Sequence, residues 1–254
     1  MSDAISNELR AILKRLKLSP IAGALPERAA LARSRRMPHL DFLELVLSDE
    51  VTRRDALSTT LRARKARLDP AMVLEAWDDS SKISFDRDLW AEITTLRFMD
   101  DRNNVVIMGP VGVGKTFMAN ALGHIACRRR RSVVMMRSDQ MFKRLKASRL
   151  DHTYEQELRR LIRTELLIID DFGLRDLDDT ETHDFYELVV ERHLKASTVI
   201  TSNRDPSEWL AVMADPLLAQ SAIDRLQSAA YELVVDGDSY RRRQKPRPPS
   251  RRPG

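Results

Sequence analysis

From residue 5 to residue 68 the apolar positions recur at helical spacing. Ile5, Leu9, Ile12, Leu13 and Leu16 share one face of a segment over 5–17, and Arg10, Lys14, Arg15 and Lys17 take the other. Ser19-Pro20 ends it, because the residue before a proline is pushed out of the helical region. A second helix is expected from Asp41, with Glu44 three residues later as a capping-box variant. Its stripe carries Leu43, Val46, Leu47, Val51, Leu57 and Leu61, and it ends near Leu68-Asp69-Pro70. The pattern predicts a helical domain over 1–68, too small to build a large core of its own.

Beyond a polar connection around 78–81 the period changes. Short apolar runs at 105–108, 133–136, 166–169, 198–201 and 231–235 alternate with helical stretches near 116–127, 139–149, 153–164, 180–195 and 216–227. Strands alternating with helices predict an α/β domain over 69–240, with a parallel five-stranded sheet flanked by helices. The tail 241–254 holds seven basic residues, four prolines and no acid, so disorder is expected there.

Composition narrows the classes. With 43% apolar, 32% charged and 6% aromatic residues in 254, the chain reads as helix-rich rather than as a small sandwich or barrel. No apolar stretch is long enough to span a membrane, and no signal segment opens the chain, so a cytoplasmic protein is expected. Cys127 is the single cysteine, which excludes a disulfide framework and a cysteine-based zinc site. The net charge of +5 is unevenly placed: residues 1–36 carry +5, 79–240 carry −5, and the tail carries +7. Basic ends on a near-neutral middle suit a polyanion binder.

One segment carries explicit chemistry. Gly109-Pro110-Val111-Gly112-Val113-Gly114-Lys115-Thr116 fits the phosphate-loop pattern, with an apolar strand before it and a helix starting at Phe117 after it. Glycines let successive backbone N–H groups turn toward phosphates, and the helix N-terminus adds its positive end. Lys115 is expected to reach the terminal phosphates of ATP, and the Thr116 hydroxyl to hold Mg²⁺. Farther on, Leu166-Leu167-Ile168-Ile169-Asp170-Asp171 is an apolar strand ending in two acids, where ligands bind in parallel sheets. Asp170 is the expected Mg²⁺ ligand. Asp171 reads either as the base that polarises the attacking water or as a turn cap with Gly173. Together the motifs predict a nucleoside triphosphatase. Asn203 closes another apolar strand, as a water- or phosphate-orienting group or as an ordinary turn residue. Arg225 stands among apolar neighbours, either paired with Asp224 or aimed across a subunit interface as an arginine finger.

The segments GPVGVGKT, ALGHIACRRRRSV, LLIIDDFG, TVITSNRDPSEW, DPLLAQSAIDRL and GDSYRRR resemble the IstB-like ATP-binding proteins, helper ATPases of insertion-sequence transposition. These belong to the AAA+ group of P-loop NTPases with DnaA and DnaC. The resemblance runs from about Leu13 to Arg243. It implies that the strand ending at Asn203 lies between those ending at Met108 and Asp170, that Asn203 is sensor 1, and that Arg225 acts in trans within an ATP-dependent oligomer. It further implies assembly on double-stranded DNA and hand-over to an IstA-like transposase. A DnaC-like helicase-loading adaptor is the alternative it leaves open. The chain departs from the usual AAA+ pattern in lacking a lid domain, which leaves Arg241 or Arg242 as weak sensor-2 candidates.

Basic side chains nominate DNA contacts. Lys143, Arg144, Lys146 and Arg149, with Arg159, Arg160 and Arg163, lie on two helices between the second strand and the acidic strand; their other reading is a solvated, ion-paired face. Lys14 and Lys17 are further candidates. Such contacts would be phosphate-directed, salt-sensitive and little concerned with sequence. The run Arg128–Arg131 reads as a helix C-terminus, where cations suit the dipole. Met135, Met136 and Met141 read as core fillers.

Overall fold

Ser6 opens the first helix by accepting the Leu9 N–H on its side-chain oxygen, satisfying one of the donors a helix start leaves bare. This is α1 (Asn7–Arg15) in the computed structural model, which describes residues 5–78 and 83–239. The chain divides into two units between Leu61 and Arg62. In the first, α2 (Ile21–Ser34) forms where the pattern predicted no helix. Pro20 at its N-cap and Gly23 and Pro26 inside it lower its propensity, so its periodicity is weak. Then α3 (His39–Lys65) runs on into the second unit. Asp41 lies inside its first turn rather than capping it, and the chain enters from Pro38, whose carbonyl accepts the Phe42 N–H. Ion pairs knit the unit: Arg28 with Asp49 at 2.7 Å, and Glu50 with both Arg53 and Arg54 at 2.7 Å. Arg54 also donates to the Lys17 carbonyl. Among its described residues, Leu13, Ile21 and Val46 are the buried apolar side chains.

The second unit follows with a 3₁₀ turn, Leu74–Ala76, then β1 (Ile83–Ser84), α4 (Arg87–Thr94) and α5 (Arg97–Asp100). Next come β2 (Asn104–Met108), α6 (Lys115–Arg128), β3 (Val133–Arg137), α7 (Ser138–Leu150), α8 (Tyr154–Arg163) and β4 (Leu166–Phe172). The order closes with α9 (Asp179–Arg192), β5 (Ser197–Ser202), a 3₁₀ stretch Pro206–Val212, α10 (Pro216–Gln227), β6 (Ala230–Val234) and β7 (Asp236–Gly237). The five-stranded sheet has the order β3-β4-β5-β2-β6, every pair parallel, as expected; β1 and β7 make a separate antiparallel pair. β5 lies between β2 and β4, as the resemblance implied.

Alternation along the strands splits the core. Val105, Ile107 and Ile168 face one layer with α6, while Val106, Met108, Leu167 and Ile169 face the other with α7 to α10. Met135, Met136 and Met141 are buried fillers. Arg128 and Arg131, at the end of α6, pair with Glu75, Asp100 and Glu165, and Arg129 reaches the Thr95 carbonyl. Arg192 is 2% exposed and faces no carboxylate among the described residues; it donates to the Leu161, Ile162, Thr164 and Ser197 carbonyls and to Thr198 Oγ1. The tail 241–254, with Arg241 and Arg242, lies outside the described residues.

Candidate functional site

Parallel register brings the carboxyl ends of β2, β4 and β5 together, with Met108 beside Ser202 and Phe172 beside Ser202 on the other side. From β2 the chain turns into the phosphate loop. Gly109 has φ +147°, and a Cβ there would lie 1.8 Å from the Val235 carbonyl oxygen, so the close pass of the segment after β6 demands glycine. Gly114 stands at the N-cap of α6 in the left-handed region, φ +103°.

Lys115, the first residue of α6, is 6% exposed. Its ammonium donates to the Gly109 and Pro110 carbonyls and to Asn203 Oδ1, each at 2.7 Å. Loop and β5 end are thereby joined through one cation. Thr116 Oγ1 donates to the Asp170 carboxylate at 3.0 and 3.2 Å, and Thr201 Oγ1 donates to Asp170 Oδ1 at 2.6 Å. Thr201 in turn accepts the Asp171 N–H at 2.9 Å. Burial pushes the Asp170 carboxyl above the ordinary range; neighbouring Asp171 adds to the rise, while the two threonine hydroxyls oppose it.

The strand does not end before its acids. β4 runs on to Phe172 with a register shift between Ile169 and Phe172, and Asp171 takes φ +57° at this irregularity. Such a bulge re-aims side chains. Asp170 turns inward to the threonines, and Asp171 lines the cleft, with Arg137 Nε 3.9 Å from its Oδ2. Ser138 Oγ, at the first residue of α7, donates to the Asp171 carbonyl and fixes the turn.

The cleft holds about 490 Å³. Its lining divides into polar side chains, Lys115, Thr116, Asp171 and Asn203, and apolar ones, Met72, Trp77, Ile83 and Phe117. Trp77 meets Phe117 edge-on at 5.3 Å and Phe85 at 5.9 Å. A flat apolar base beside a phosphate cradle fits this division. Trp77, Ile83 and Thr201 were not among the predicted site residues; no motif contains Trp77 or Ile83, and only the position of Thr201 one turn of pleat before Asn203 hinted at its place.

A divalent cation fits the donor set. The Thr116 hydroxyl and Asp170 carboxylate are hard oxygen donors side by side. Among the described residues no group of three or more His, Cys, Asp or Glu is clustered for metal binding. A cation here would therefore take one or two protein oxygens and complete its shell with phosphates and water, as Mg²⁺ commonly does.

Arg225 does not line this cleft. It sits half-buried on α10, where its guanidinium donates to the Ser221 carbonyl at 2.9 Å and to Ser221 Oγ; no ion pair with Asp224 forms among the described residues. The basic positions of α7 meet acids: Lys143 with Asp139 at 3.9 Å, Arg144 with Glu157 at 2.7 Å, Lys146 with Asp178 at 3.4 Å. Arg149 pairs with buried Asp184 and stacks on Tyr154, which makes it part of the packing between α7, α8 and α9. Lys14 and Lys17 are exposed at the end of α1. No helix among the described residues is long and apolar enough to cross a membrane.

The profile of the family described as IstB-like ATP binding protein matches residues 11–248. An ATP-binding protein in an insertion sequence of Mycobacterium tuberculosis is 34% identical over 239 residues, 94% of this chain and 95% of that one. Among solved structures, the replication initiator DnaA bound to AMPPCP and single-stranded DNA has a TM-score of 0.56 at 20% identity, covering 67% of this chain and 51% of its own. The DnaC helicase loader has a TM-score of 0.50 at 18% identity, covering 57% and 88%. At these identities the two structures speak for the fold alone, a P-loop AAA+ sheet.

Proposed function

The chain belongs to the IstB-like ATP binding protein family, and from that premise we propose that it is an ATPase that assembles on double-stranded DNA and assists a transposase. The observation that carries the ATPase part is the convergence of Lys115, Thr116, Asp170, Asp171 and Asn203 at one end of three adjacent strands. On this reading ATP lies with its base against Trp77 and Phe117 and its phosphates on the loop of Gly109 to Thr116. Lys115 exchanges its carbonyl partners for phosphate oxygens. Asp171 accepts a proton from the attacking water, and Asn203 orients that water. Mg²⁺, held by Thr116 and Asp170, would neutralise charge on the transferred phosphoryl group. Arg225, turned away from its own cleft, completes the site of a neighbouring subunit.

The DNA part rests on charge at the surface. Lys143, Lys146 and Arg159 keep 75%, 66% and 66% of their side chains exposed, and their pairs with Asp139, Asp178 and Glu155 are surface pairs that phosphate can displace. Arg144, Lys14 and Lys17 extend this set, and Arg149 supports it from within. The insertion-sequence setting of the relative above points to an IstA-like transposase as partner.

Lys115→Ala should abolish binding of a fluorescent ATP analogue; normal turnover in that variant would refute the site. Arg225→Ala should bind nucleotide and fail to turn it over, as should Asp171→Asn. Mixing the two inactive variants should restore turnover, because mixed interfaces pair an intact base with an intact arginine. If the mixture stays dead, the trans role is wrong. Duplex DNA should stimulate turnover with a steep salt dependence. Stimulation by a replicative helicase and not by duplex DNA would favour the loader alternative.

A further inference from the structure

Asp171 and Asn203 come from different strands, and neither holds its own place. Asp171 is not a glycine, yet it takes φ +57° at the bulge of β4, a left-handed conformation that the surrounding contacts must impose. Asn203 stands one residue beyond β5, with its side-chain oxygen on the Lys115 ammonium. Three hydroxyl groups hold the bulge. Thr201 Oγ1 accepts the Asp171 N–H, Ser138 Oγ donates to the Asp171 carbonyl, and Ser202 Oγ donates to the Phe172 carbonyl at 2.9 Å.

Ser202 does more than the other two. It is fully buried, and its oxygen also accepts the Arg204 N–H and the Trp209 Nε1–H, each at 3.1 Å. A serine hydroxyl has one proton and two lone pairs. The two N–H donors occupy the lone pairs, so the proton is directed at the Phe172 carbonyl and the hydroxyl has one orientation. Its bond to Phe172 fixes the chain just after Asp171, as the Thr201 bond fixes it at the Asp171 N–H. Its bond from Arg204 closes the turn that carries Asn203. Trp209 is itself fully buried and meets the Phe172 ring edge-on at 4.7 Å, which keeps the indole N–H aimed at the oxygen.

We propose that Ser202 is a positioning residue for ATP hydrolysis, setting Asp171 and Asn203 at a fixed separation around the attacking water through one buried oxygen. This role rests on the ATPase reading above. Ser202 lies behind the cleft lining rather than in it, so nucleotide affinity does not depend on it. The rate does, because two groups that must meet one water lose about 100-fold when one of them moves by about 1 Å. Thr201 cannot be tested for the same role, since its hydroxyl also serves Asp170 and with it the cation site. Ser202 has no contact with Asp170 or Thr116, so its effect on the rate stands apart from cation binding.

Ser202→Ala removes the oxygen and little else. In the full-length chain its KM for ATP and its affinity for the fluorescent analogue should stay within about twofold of wild type, while kcat falls by about 10- to 100-fold. A lowered melting temperature with kcat intact below it would make Ser202 a structural residue only and overturn the proposal. A loss carried wholly by a raised KM would overturn it too. Should Ser202→Ala fail to fold, Ser202→Cys fills the site with a weakly hydrogen-bonding thiol, and the same split is expected. Wild-type kcat in that variant overturns the role. A wild type that binds ATP without hydrolysing it sinks the ATPase reading, and the role of Ser202 is then read at Trp209. Its indole N–H resonance should move when an ATP analogue and Mg²⁺ are added to wild type, and stay still in the folded Ser202 variant. A resonance that is still in wild type, or moves alike in both, shows that Ser202 does not join the cleft to its surroundings and overturns the proposal.

Discussion

Two helices of this chain carry similar stripes and meet different fates. On α7, Met141, Phe142 and Leu145 are fully buried against β3 and β4, with Lys143, Arg144 and Lys146 outside. On α3, Leu40, Leu43 and Leu47 stand in solvent, and Val46 alone of that stretch is buried. Periodicity states which side chains share a face. Whether anything covers that face depends on the area its surroundings offer. A parallel sheet offers two broad apolar faces, whereas three helices of this length offer little. The sheet unit is accordingly rich in apolar packing and buried polar contacts, whereas the N-terminal unit sets a few buried apolar side chains beside ion pairs, one of them on buried Glu50.

The largest effect expected from this contrast is in the sheet unit. Arg192→Met would strip donors from four carbonyls and the Thr198 hydroxyl at a buried site, at a cost of about 3–5 kcal/mol in urea unfolding. A loss under about 1 kcal/mol would mean that this buried cation is dispensable and that apolar packing alone carries the unit. Next, Ile168→Ala in β4 should cost about 2–5 kcal/mol, because the side chain is fully enclosed between layers that cannot collapse onto the gap. Leu13→Ala in α1 should cost about 1 kcal/mol, since its few neighbours can relax. Equal losses at the two sites would erase the difference between the units.

Much of the sheet unit was legible because its signals are local. Apolar runs of four or five residues bounded by polar ones marked all five strands, and the glycines of the phosphate loop have no other use in so tight a turn. What escaped was set by contacts distant in sequence. Trp77 reaches the cleft because the chain before β1 folds back beside α6, and no pattern around residue 77 encodes that. The bulge at Asp171 is equally hidden, since Leu166 to Phe172 reads as one run and only pairing with β5 shows where it slips. α2 was missed for a local reason: two prolines and a glycine mask a helix that its neighbours hold in place. The exposure of the α3 stripe was invisible in principle, because an amphipathic pattern looks the same whether its cover is the same chain or another.

A smaller effect should come from the site itself. Asp170 is buried, and burial disfavours its charge before any cation arrives. Asp170→Asn keeps an acceptor for Thr116 and Thr201 while removing that charge. The nucleotide-free variant should therefore melt at a higher temperature than wild type, and lose Mg²⁺-dependent turnover. A lowered melting temperature would mean that the carboxylate stabilises the empty site, and that the sheet unit, like the N-terminal one, relies on ionised groups.

The smallest effect tests that reliance in the N-terminal unit. Arg53 and Arg54 hold the Glu50 carboxyl down to about 2 from an ordinary 4.5, with Arg53 the larger influence. A carboxyl whose folded value is depressed contributes stability that is fully present above its unfolded value and is lost as pH falls through the folded one. Glu50→Gln should therefore unfold more easily than wild type at pH 7. The gap should stay constant down to about pH 4.5 and then close between 4.5 and about 2, as wild-type Glu50 takes up its proton. Helix content followed by circular dichroism across a pH series for both chains measures that gap. A gap that persists at pH 2 would assign the role of Glu50 to shape rather than charge, and would remove the ion pairs from the account of how the N-terminal helices hold together.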